Sequence, residues 1–144
     1  MRLRTMALIG VMTVVPAAAS GQTAADSAAI RATALDYVEG WYTEDPARME
    51  RALHPELAKR IVRASSQGDP RLENMTAATL VQAVRSGGGK NTPLAQQIKD
   101  VRILDIYGSM ASVRAEMAGW IDYMQLARWN GRWVIVNVLW EMKR

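Results

Sequence analysis

A chain of 144 residues, about half of them apolar, is the size of one domain and can bury a core without staples. It has no cysteine, which excludes a disulfide framework, a thiolate metal site, a thiol nucleophile and a lipidated cysteine. The formal charge is +4, but basic residues such as Lys59, Arg60 and Arg63 alternate with apolar and acidic positions. That pattern lacks the clustered stripe of a nucleic-acid binder and reads as a solvated helix face.

The opening MRLRTMALIGVMTVVPAAASGQ has two early arginines, an apolar run from Met6 to Val15, then Pro16 and small residues. This is the pattern of a secretory signal peptide over residues 1–21, cut after Gly21 or, as a second choice, after Ala19. Ten apolar residues rise about 15 Å as a helix against a hydrocarbon core of about 30 Å, so no stable membrane anchor is expected. Losing Arg2 and Arg4 takes the charge from +4 to +2. Residues 22–144 are then expected to form one domain, periplasmic or extracellular.

Ile30, Ala34, Tyr37 and Trp41 recur at helical spacing, and Thr23 with Asp26 can form a capping box, so a long first helix ends in aromatic residues. EDPARMERAL opens a second helix, capped by Asp45 with Pro46 at its first position and limited past Leu53 by Pro55. TAATLVQAVRSGGG gives a third, capped by Thr76 and stopped at Gly87. SGGGK resembles a phosphate loop only superficially: Lys90 is followed by Asn91 and the leading glycine is missing.

After a polar loop, the period changes to two. Val101, Ile103 and Tyr107 alternate with Arg102, Leu104 and Ile106, and Ala111, Val113, Ala115 and Met117 follow Gly108-Ser109. Helices first and antiparallel strands last predict an α+β domain.

The stretch WIDYMQLARWNGRWVIVNVLWE carries Asn130-Gly131 between two apolar runs, the signature of a two-residue type I′ hairpin. Counting outward from that turn pairs Leu126 with Ile135, Met124 with Asn137 and Asp122 with Leu139 on one face. The other face takes Tyr123, Val136, Val138 and Trp140. Because both faces are largely apolar, one is expected to pack on the helices and the other to form a homodimer through the sheet. Asp122 and Asn137, on an apolar face, are either a satisfied internal pair or the polar floor of a pocket. His54, the sole histidine, follows the second helix in a loop and could reach the same face.

DYVEGWYTEDPARMERALHPELAKR, LENMTAATLV and the region from Val101 to Glu141 together resemble the "putative lumazine-binding" family of the nuclear transport factor 2-like superfamily. The resemblance implies a cone-shaped, cystatin-like fold: N-terminal helices packed on a curved antiparallel sheet, with a pocket between them, and commonly a dimer. It also implies that Trp133, Ile135, Asn137 and Leu139 look inward beside Asp122 and Met124.

The expected function is therefore an exported protein that binds a small apolar or aromatic molecule. The ligand-binding set is Tyr37, Trp41, His54, Trp120, Asp122, Met124, Asn137 and Leu139. The first alternative is a cofactor-free isomerase or dehydratase with Asp122 and His54 as acid–base groups. The second is a structural dimer whose cone is filled by its own side chains. No metal, cofactor or nucleic-acid partner is indicated.

Overall fold

The computed structural model describes residues 23–144. The signal-peptide reading, with its two cleavage sites, lies outside the described residues. Helix α1 spans Ala24–Tyr42 and α2 spans Pro46–Ala52. Strands β1 (Leu53–Ala64) and β2 (Pro70–Met75) precede α3 (Ala77–Arg85). A short 3-10 turn leads into β3 (Asp100–Tyr107), β4 (Met110–Glu116), β5 (Trp120–Trp129) and β6 (Arg132–Met142). The six strands form one curved sheet in the order β2-β1-β6-β5-β4-β3, and the three helices pack on its inner face.

Each helix begins where its cap was expected. Thr23, Asp45 and Thr76 each accept the backbone N–H of the residue three positions on, satisfying an otherwise orphaned donor. The buried side of α1 carries Ile30, Ala34, Tyr37 and Val38, which meet Val113, Met124 and Ile135 from the sheet.

Two expectations are corrected by the first strands. The segment Leu53–Ala64 is strand, not a loop followed by a charged helix, and it pairs parallel to β6, with Lys59 opposite Val138. His54 therefore lies in β1. Lys59, Arg60 and Arg63 consequently split between faces: Arg60 is exposed, whereas Lys59 is only 4% exposed.

The type I′ turn forms, with φ of 48° at Asn130 and 78° at Gly131. From it the register runs as expected through Arg128 with Trp133 and Leu126 with Ile135, and then slips. Gln125 pairs with Asn137, leaving Val136 as an extra residue, so beyond it Met124 faces Val138 and Asp122 faces Trp140. Such a bulge bends and twists a strand and reverses side-chain alternation past itself. Val138 and Trp140 therefore turn inward, and Asn137 and Leu139 turn outward, the reverse of the sequence expectation. A second slip, at Leu104 on β3, brings Ile106 into the core and leaves Tyr107 outside it.

Candidate functional site

The inward residues Asp122 on β5, Lys59 on β1 and Tyr37 on α1 converge on one knot of hydrogen bonds. Lys59 Nζ donates to Asp122 Oδ1 and, at 2.8 Å, to the Tyr37 hydroxyl. Tyr37 in turn donates to Asp122 Oδ2 at 3.2 Å, and Trp120 Nε1 donates to the same oxygen at 3.0 Å. Asp122 is fully buried and Tyr37 is 2% exposed. The acid on an apolar face is thus answered internally, by three donors on one carboxylate.

Burial raises the Tyr37 phenol well above its ordinary 10, and the neighbouring Asp122 charge adds to the rise. Burial lowers Lys59 from its ordinary 10.5, while the Asp122 charge and hydrogen bond pull the other way.

Aromatic rings cover the knot. Trp120 meets Trp41 edge to face at 5.4 Å between centroids and Trp140 at 6.1 Å. Lys59 Nζ lies 4.6 Å from the centre of the Trp140 ring. All three tryptophans are half-buried. The glycine loop after α3 seats Trp41. A Cβ at Gly88 would lie 2.7 Å from the Trp41 ring, one at Gly89 would overlap it, and Gly89 N donates to Trp41 O at 3.2 Å. The glycines of SGGGK thus serve close approach as well as ending the helix.

Of the eight residues expected at the site, the fold brings together Tyr37, Trp41, Trp120 and Asp122, and it buries Met124 at 1% exposure in the adjoining core. His54 is elsewhere. Its ring packs on Trp129 at 4.7 Å, and its Nδ1 accepts from Glu56 N at 3.1 Å. That is the turn end of the hairpin, seven residues from Asp122, or about 23 Å of strand. Asn137 is exposed and donates to Gln125 Oε1 at 3.0 Å, and Leu139 is 57% exposed. Both line a hollow of about 540 Å³ on the outer face with Arg60, Leu104 and Tyr123. Among the described residues, no group of three or more His, Asp or Glu side chains is placed to hold a metal ion.

Sequence reasoning missed Lys59 and Trp140. The alternation Leu57, Lys59, Ile61, buried at every second position, was the available signal for Lys59. Trp140 could not be assigned inward without the bulge.

A curved sheet around a long helix, closed at one end by a polar knot, agrees with a family match over residues 25–141 to the family described as "Putative lumazine-binding". The chain belongs to that family. Solved structures with the same fold include NTF2-like proteins of unknown function from three bacteria. The one from Silicibacter pomeroyi has a TM-score of 0.66 and 16% identity, covering 85% of this chain and 100% of that one. The protein from Shewanella baltica has 0.62 and 18%, over 86% and 99%. The third, from Methylobacillus flagellatus, has 0.60 and 19%, over 85% and 96%. No curated protein matches the chain. The description of that family, "Putative lumazine-binding", suggests a small-molecule-binding fold.

Proposed function

We propose that this lumazine-binding family member is exported and holds a small aromatic or apolar molecule at the end of the cone marked by Trp41, Trp120 and Trp140. The observation that carries the reading is the convergence of these three half-buried rings over the Lys59–Asp122 pair. Rings with their faces and edges fixed suit a planar ligand, which gains from offset or edge-to-face packing. A buried ion pair is a weak device for stability alone, since desolvating two charges costs several kcal/mol. Here it also holds Tyr37 and Trp120 in orientation.

A second reading is favoured by one specific fact: Tyr37, Asp122 and Met124 are all but closed to solvent. On that reading the cone is filled by its own side chains, and the protein acts as a structural dimer. The dimer itself suits either reading. We place it on the outer sheet face, where Leu104, Tyr123 and Leu139 are each more than half exposed. Catalysis by a paired Asp122 and His54 has no geometric support, since the two lie at opposite ends of the hairpin.

Tryptophan emission tests the choice, because three of the five tryptophans sit in the cluster. With lumazine as probe, saturable quenching is expected, and Trp120→Ala should abolish it. Quenching that stays linear to millimolar probe favours the filled cone. For the dimer, Leu139→Lys should give monomers in sedimentation velocity, and an unchanged dimer would move the interface elsewhere. Intact mass of exported protein beginning at Gln22 or Ser20 would support export, and retention of the leader would refute its cleavage.

A further inference from the structure

Two hollows on the outer sheet face run into one another. The hollow of about 540 Å³ holds Arg60 beside Leu104, Tyr123 and Leu139, and a second, of about 290 Å³, holds Asp105 beside Tyr107 and Met110. Ser112, Gln125 and Asn137 border both, so the two make one groove across the strands. Arg60 on β1 and Asp105 on β3 stand four strand steps apart, about 19 Å along the sheet, too far to pair within one chain.

Of the residues that line the groove, these two alone are charged. Both are exposed, and neither forms an ion pair among the described residues. Between them, Asn137 donates to Gln125 at 3.0 Å, a bond that survives if the groove is covered. Val62 shares a neighbouring hollow with Tyr123 and Leu139. It is paired across to Leu72 on β2, and each is 59% exposed, so the apolar surface continues to the edge of the sheet.

An arginine on so apolar a face is solvated while the face is wet. Once the face is covered, the charge must meet an acid, because a buried unpaired charge is costly. The groove carries opposite signs at its opposite ends, so it complements itself. A second copy, turned half a turn about an axis that lies in the interface and crosses the middle of the groove, sets its acidic end over Arg60 and its basic end over Asp105. A small molecule shorter than the groove would answer only one end.

We infer that the occupant of this groove is a second copy of the chain, held in register by two symmetry-related ion pairs between Arg60 of one protomer and Asp105 of the other. The inference rests on the dimer reading above and deepens it by naming the groups that fix how the copies meet.

Sedimentation velocity of the purified protein over a range of concentrations gives the dimer Kd. Arg60→Asp and Asp105→Arg should each weaken the dimer at least about tenfold, since either change sets like charges together at two places. The double variant Arg60→Asp/Asp105→Arg restores opposite charges and should return to within about threefold of the parent. Circular dichroism verifies that all three variants are folded. Single variants as tight as the parent, or a double variant as weak as the singles, would overturn the inference and leave the dimer itself to the Leu139→Lys test. A parent that stays monomeric overturns the inference and the dimer reading together, and leaves the groove to an occupant other than a second copy.

Discussion

Two aspartates clamp α1 to the hairpin of β5 and β6 with nearly the same set of partners, one at each end of that hairpin. Asp26 accepts from Trp133 Nε1 at 3.2 Å and from Arg128. Asp122 accepts from Trp120 Nε1 at 3.0 Å, from Lys59 and from Tyr37. The surroundings differ. Asp26 and Arg128 side chains are 18% and 42% exposed, against 0% and 5% for Asp122 and Lys59. An indole, a cation and a carboxylate can therefore be a water-tolerant latch or a dry knot. Only in the dry case does losing one partner strand another in a medium that cannot solvate it.

The largest effect should come from Lys59→Met, which keeps much of the stem and leaves the Asp122 carboxylate buried without its cation. Urea unfolding is expected to show a loss of about 3–5 kcal/mol. Adding Asp122→Leu should recover most of it, because the pair then leaves together; a double variant no better than the single would mean that packing, not stranded charge, set the loss. Arg128→Met at the wet clamp should move the urea midpoint several-fold less.

Next in size, Tyr37→Phe removes a hydroxyl that donates to Asp122 and accepts from Lys59, for an expected loss of about 1–3 kcal/mol. Since the folded phenol is raised above 10, its contribution is complete below pH 10 and is lost as the pH climbs toward the folded value. Stability of the parent should thus fall above pH 10, and more steeply than that of Tyr37→Phe. Parallel profiles would show that Tyr37 does not govern the alkaline limb.

The smallest effect belongs to two half-buried acids. Asp26 is lowered from 3.8 chiefly by hydrogen bonds from Thr23 and Trp133, with Arg128 adding its charge. Glu116 is lowered from 4.5 to about 2 by its bonds from Lys143 and Arg114. A depressed carboxylate stabilises above its ordinary value and stops doing so as pH falls through the lowered one. Thermal melts should therefore show a modest, salt-sensitive decline between about pH 4.5 and 2. Screening with 1 M salt at pH 7 should weaken the Asp26 clamp and leave the Asp122 knot unaffected.

What was legible beforehand was local. Thr23, Asp45 and Thr76 announce their helices because each cap satisfies donors within its own turn, and Asn130-Gly131 announces its hairpin because both residues must take positive φ. The α+β architecture follows from the change of period between the helices and Val101. Tyr37, Trp41, Trp120 and Asp122 could be gathered because α1 and the hairpin each present them on a face that the period specifies. Lys59 escaped because LHPELAKRIVRA is dense in charge and carries Pro55, and its strand exists by pairing with β6, more than seventy residues away. Asn137 and Leu139 were misplaced by one residue of register, since nothing in VIVNV marks Val136 as the one that stands out of the ladder.

That extra residue has a further consequence. Without Val136, Ile135 could still meet Leu126 and Asn137 could still meet Gln125, so every side chain from Val138 onward would keep its present side. What would change is the corner, because the surplus residue is what bends the strand there. Val136 is thus a place where the chain can be shortened by one without rewriting what the interior displays. The curvature of the wall and the inventory of groups on it are set by different residues, and either can drift while the other stands still.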